Sequence, residues 1–158
     1  MFRFLKIVIV ITFSFVFLTC SDNDDTVELS DDNYLIFGHF YGFCFGEECI
    51  EIFKLANSKL YEDSNDNYAR EPFNFKELSN DKFEASKDLL LFLPPELLFE
   101  KEGQIGCPDC ADQGGVFIQY KNGSSVQQWR IDQNKSQVPK YLHSFMDEVI
   151  KTISVINN

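Results

Sequence analysis

The sequence predicts an α+β domain: a twisted antiparallel sheet, made of a meander and a hairpin, covered by a middle helix and a C-terminal amphipathic helix. Three stretches carry this expectation. Asn122-Gly123 stands between the alternating runs Val116–Tyr120 and Val126–Ile131, the strongest short-range hairpin signal in the chain. Val138, Leu142, Phe145, Met146, Val149, Ile150, Ile153 and Ile156 recur at three- and four-residue intervals, as one apolar helix face does. Asn33–Phe45, reading NYLIFGHFYGFCF, is rich in aromatic and β-branched residues and suits a strand, with a bend at Gly38 or Gly42.

In chain order, that first strand turns at Gly46-Glu47-Glu48 and the pattern resumes over Cys49–Leu55. A second turn at Ala56–Lys59 leads to Leu60–Asp63, completing a three-stranded meander. Ser64–Glu71 is polar and reads as a loop. Ser79 suits the cap of a helix that runs to Pro94, with Asp81 in its first turn and Phe83, Leu90, Phe92 and Leu93 as apolar positions. Pro95 then starts a short helical turn whose Leu97, Leu98 and Phe99 are expected to cover the core, and Glu100–Gly103 ends it. Pro139 fits the first turn of the last helix.

Between the helical middle and the hairpin lies Gln104–Gly115, QIGCPDCADQGG, where cysteines, turn-formers and carboxylates converge. Cys107 and Cys110 form one local pair, and Cys44 and Cys49 another. An even number of cysteines in an exported chain reads first as disulfides, and four cysteines allow three connectivities between which spacing does not choose. Local pairing of Cys44 with Cys49 would face them across a hairpin. A long-range staple joining the two pairs would close a longer loop and stabilise more in the chain-entropy model. Two chemical readings compete. All four thiolates could hold a tetrahedral zinc, a reading disfavoured where thiols are oxidised before they meet metal. Alternatively Cys107-Pro108-Asp109-Cys110 is a dithiol of redox spacing, but Asp109 and Asp112 would raise its thiol pKa and Gly114-Gly115 leads towards a strand rather than a helix. Asp109 and Asp112 match no twelve-residue calcium loop and are expected to act as turn-formers. His39 and His143 stand far apart, without carboxylate or cysteine neighbours in sequence, and read as ordinary strand and helix residues.

The chain has 158 residues and a net charge of −11. Its acids are dispersed and its Lys and Arg unclustered, so nucleic acid is not an expected partner. The sequence carries no phosphate-binding glycine loop, dinucleotide fingerprint, metalloprotease helix or nucleophile elbow, so no catalytic residue or cofactor is assigned. Most aromatic residues are expected in the core.

The N-terminus reads as an address. Arg3 and Lys6 precede an apolar run, Ile7–Leu18, that suits a signal-peptide core and is shorter than the roughly 20 apolar residues of a membrane-spanning helix. Phe17-Leu18-Thr19-Cys20 resembles the lipobox of bacterial lipoproteins, whose cysteine is lipidated and becomes the new N-terminus. Ser21-Asp22-Asn23-Asp24-Asp25 resembles the acidic export tract of Bacteroidetes-type surface lipoproteins, and Cys44-Phe45-Gly46 and Gly106–Cys110 are similar to phrases in small uncharacterised members of that class. The resemblance implies a lipoprotein signal peptide over 1–19 and lipidation at Cys20; composition and length then give an acidic tether over 20–32 and one globular domain over 33–158. It also implies attachment to the outer membrane, at the cell surface or on the periplasmic face, through acyl chains worth about 0.8 kcal/mol per buried methylene. An uncleaved anchor over residues 1–18 is the alternative, and it too leaves the domain outside the inner membrane. Cleavage would remove Arg3 and Lys6 but no acid, moving the net charge to −13. The expected function is a non-catalytic lipoprotein domain that binds an extracellular or envelope ligand, with structural disulfides. A redox or metal-binding module at Cys107 and Cys110, with Cys44 and Cys49 for zinc, is the alternative.

Overall fold

The computed structural model describes residues 29–44 and 46–158. The signal segment, Cys20 and the tether as far as residue 28 lie outside the described residues, as does Phe45. Of the remaining tether positions, Leu29 packs against the main core and the Asp32 carboxylate pairs with Lys121 at 3.1 Å.

Seven strands form one mixed sheet: β1 (Asn33–Phe40), β2 (Ile50–Ala56), β3 (Lys59–Asp63), β4 (Phe75–Glu77), β5 (Gly103–Ile105), β6 (Gly115–Asn122) and β7 (Ser125–Asp132). Their order is β4-β3-β2-β1-β6-β7-β5, and every pairing is antiparallel except the parallel β5–β7 edge. Among the described residues, two α-helices, α1 (Asn80–Ser86) and α2 (His143–Ile156), complete an α+β fold with the expected meander and hairpin. Of the two three-residue edge strands, β4 lies between the expected loop and the expected helix, and β5 lies in a stretch expected to turn; so few residues cannot display the alternation by which a strand is read.

Period-two alternation divides the sheet into two faces. Leu35 and Phe37 of β1, Phe53 and Leu55 of β2, Val116, Ile118 and Tyr120 of β6, and Trp129 and Ile131 of β7 form the main core. From α2, Phe145, Met146, Val149, Ile153 and Ile156 close over them, each side chain contributing about 1.5–3 kcal/mol by leaving water. Ile150 departs from the expected stripe and is 39% exposed. On the opposite face, Ile36, Phe40, Ile52 and Phe117 form a smaller core covered by Tyr68, Ala69 and Phe73. Tyr68 and Ala69 belong to the polar segment Ser64–Glu71 that reads as a loop, and Phe73 follows it, so this connection buries its few apolar residues against the sheet.

The middle helix is shorter than expected. It is α-helical only to Ser86 and continues as a 3-10 helix over Lys87–Phe92. Ser86, 1% exposed, bonds its hydroxyl back to the carbonyls of Lys82 and Phe83 at 3.0 and 3.1 Å, an interaction that competes with continued α-helical winding. Ser79 occupies the cap position, but its side chain makes no capping bond. A second 3-10 turn spans Pro95–Phe99, with Leu97 buried; Phe99, contrary to expectation, is 90% exposed, because three residues per turn cannot direct positions 97 and 99 to the same side.

The hairpin turn lies one residue beyond its Asn-Gly signal. Asn122 pairs with Ser125, leaving Gly123-Ser124 as a two-residue turn, and only Gly123 takes a positive φ, of 59°.

Candidate functional site

Both cysteine pairs stand at disulfide distance locally. Cys44 and Cys49 have Cα atoms 5.6 Å apart across the β1–β2 connection, and Cys107 and Cys110 have theirs 5.5 Å apart within the loop after β5. The long-range staple is not formed, and a four-thiolate zinc site would require both pairs to open. Cys110 is followed by a turn and then β6, so no helix begins at this dithiol to lower a thiol pKa.

The Gly106–Gly114 loop is held on two sides by carboxylates. Asp132, 1% exposed at the end of β7, accepts from the Cys107 amide at 2.9 Å, the Gln113 side-chain amide at 2.9 Å and the Asn134 amide at 2.8 Å. Asp109 accepts from the Gly114 amide at 2.9 Å and, through Oδ2, from the Tyr68 hydroxyl. Both Asp109 and Asp112 adopt the left-handed conformation, with φ of 62° and 54°, as turn-forming aspartates do. Burial works to raise the Asp109 pKa, but the bonds from Tyr68, Gly42 and Gly114 and the charge of Arg130 outweigh it and hold this carboxyl below its ordinary value. The Asp109 carboxylate is thereby committed to holding the loop.

Tyr68 links this loop to a half-buried cation. The Arg130 guanidinium lies 3.7 Å from the Phe40 ring centroid and 4.8 Å from that of Tyr68, and donates to the carbonyls of Tyr68 and Ala69 at 3.0 and 3.1 Å. Strands β1 and β7 and the loop before β4 meet there. Spacing singled out none of Tyr68, Arg130 or Asp132; the one available signal was a charged residue between Trp129 and Ile131 in a predicted strand.

A second concave region, about 790 Å³, opens at the end of the helix-covered face, where His39, Tyr41, Glu48, Glu51 and Lys82 meet the C-terminal end of α2. The β1–β2 register sets His39 opposite Glu51, giving the histidine the carboxylate neighbour that it lacks in sequence. His39 Nε2 lies 3.0 Å from the Glu48 carbonyl, and its ring packs at 5.1 Å on Tyr41. Burial lowers its pKa, with the Glu48 bond partly opposing, so the neutral imidazole is favoured. With Nε2–H donating to the Glu48 carbonyl, the neutral ring presents Nδ1 as an acceptor. His143 lies elsewhere, at the start of α2, with its Nε2 3.3 Å from the Val138 carbonyl. Among the described residues, no three His, Cys, Asp or Glu side chains are grouped to hold a metal ion. No family model matches the chain, and no curated protein matches it.

Proposed function

We propose that this chain is a non-catalytic lipoprotein domain, tethered to the outer membrane through Cys20 and displayed at the cell surface, where it binds an extracellular or envelope ligand. The observation that carries this reading is the cysteine arrangement. Four cysteines stand in two local pairs at disulfide distance, as suits a chain that folds in an oxidising compartment, and the fifth ends a signal-like apolar run. The acidic residues after Cys20 support surface display by their resemblance to an export tract. The concave surfaces on a rigid sheet support ligand binding.

The test is expression of the full chain with its own N-terminus in a diderm bacterium. Mass spectrometry of the mature protein is expected to find a diacylglyceryl-modified or triacylated Cys20 as the first residue, and protease treatment of intact cells is expected to degrade the domain. Cys20→Ser should leave an uncleaved or soluble form. Alkylation without reductant should label none of Cys44, Cys49, Cys107 and Cys110, and mild reductant should expose none. An unmodified Cys20 would overturn the anchor, and a pair that opens readily in mild reductant would favour the dithiol chemistry instead.

A further inference from the structure

The described chain contains two arginines, Arg70 and Arg130, and both line a single cleft of about 510 Å³ on the sheet face opposite the helices. Such convergence is notable in a protein with 25 acids and 14 bases. Both guanidinium groups are held by one ring: Arg70 lies 5.4 Å and Arg130 4.8 Å from the Tyr68 centroid. Neither forms a salt bridge among the described residues, where all five ion pairs use lysine. Glu71 stands at the rim without pairing to either.

Two like charges at one site repel, and partial burial removes water that would screen them. Burial is the main cause lowering the Arg130 pKa; the Arg70 charge acts in the same direction, while Tyr68 and Asp109 oppose. The bonds to the carbonyls of Tyr68 and Ala69 employ one terminal nitrogen of Arg130, and its guanidinium also bonds the Tyr68 side chain, which leaves part of its five-donor fork to face the cleft. Beside the arginines, Phe73 and Phe117, with ring centroids 6.0 Å apart, supply an apolar wall, and Gln128 adds a polar group at the edge.

From this geometry we infer that the Arg70–Arg130 cleft is a binding site for a small organic carboxylate carried on a flat apolar ring. The guanidinium pair matches the planar oxyanion, the phenylalanine wall matches the ring, and the volume suits a small molecule. This inference rests on the binding-domain reading above but not on the lipid anchor, whose test is the mass of the mature N-terminus.

Calorimetric titration of the full mature chain with benzoate tests the site, with benzamide supplying the ring without charge, acetate the charge without ring, and inorganic phosphate a different oxyanion. Benzoate is expected to bind about tenfold tighter than the other three, and Arg70→Gln to weaken it by about tenfold, the loss of one charge-assisted contact. Arg70 is exposed and makes no hydrogen bond that the fold needs, so this variant stays folded where Arg130→Gln would disturb the loop before β4. Lys151→Gln on α2 should leave benzoate affinity unchanged. The inference is overturned if benzoate fails to saturate, if phosphate binds more tightly, or if Arg70→Gln and Lys151→Gln act equally. Cys20 lipidation is unaffected by any of these outcomes, so failure of the site is distinguishable from failure of the anchor.

Discussion

The Tyr68 hydroxyl donates to the Asp109 carboxylate across 41 positions of sequence, joining the loop before β4 to the loop that carries Cys107 and Cys110. Tyr68→Phe removes this donor, and with it the hydroxyl's bond with Arg130, while keeping the ring against Phe40 and Arg130. A hydrogen bond to a charged acceptor contributes about 1.5–3 kcal/mol, and partial exposure places the expected loss at the lower end. Urea unfolding should show a lower midpoint with an unchanged slope; an unchanged midpoint would mean the bond contributes nothing.

Two groups link stability to pH, both with the same sign. The folded-state pKa of His39 lies below 6.5, so its stabilising contribution is complete above that value and is lost as pH falls through the folded pKa. The folded-state pKa of Asp109 lies below 3.8, so its contribution is lost at still lower pH. Urea midpoints measured down a pH series should therefore fall in two stages. His39→Gln should flatten the first stage and Asp109→Asn the second.

The loop should depend more on Asp132 than on the adjacent disulfide. Replacing Cys107 and Cys110 together with serine removes a short crosslink worth about 2 kcal/mol in the chain-entropy model. Asp132→Ala strands three donors around a buried position and should cost about 3–5 kcal/mol. Thermal or urea denaturation of the two variants decides the order, and a larger loss in the serine double variant would show that the crosslink dominates.

Gly114 has a φ of 77°, and a Cβ there would meet the Tyr41 ring and the Phe40 carbonyl. Gly114→Ala should therefore cost at least about 2 kcal/mol, combining left-handed strain with a steric clash. Gly123 has open space where a Cβ would stand, so Gly123→Asn, which tolerates a positive φ, should cost less than about 1 kcal/mol. Calorimetric melting temperatures test the contrast.

Along α2, Phe145→Ala should cost about 3–5 kcal/mol, because Phe145 is 1% exposed within the main core. Ile150 lies on the same apparent stripe but is 39% exposed, so Ile150→Ala should cost less than about 1 kcal/mol. Equal losses would mean that both residues are buried to the same degree in solution.

Much of the architecture follows from local pattern. Three meander strands, the hairpin and the last helix are each long enough to display the period of their element: two for Leu35, Phe37, Phe53 and Leu55 in strands, three to four for Phe145, Met146, Val149 and Ile153 in the helix. The positive φ values of Asp109 and Asp112 likewise follow from a turn chemistry that each residue carries itself. Burial of Phe99 and Ile150 was overestimated because composition records apolarity, while the direction of a side chain depends on whether the winding is 3-10 or α and on what lies opposite.

The sequence by itself determined the α+β class, the two cysteine pairs as spacing motifs, and the turn-forming character of the loop between β5 and β6, because these depend on residues within a few positions of one another. Only the tertiary structure decided which cysteine meets which, that β5 adds a parallel edge beside β7, that His39 faces Glu51, and that Tyr68 gathers Arg70, Arg130 and Asp109. The reason is physical. Strand register and loop docking are set by the joint burial of distant side chains, so a neighbour 41 or 62 positions away leaves no periodic trace in the chain.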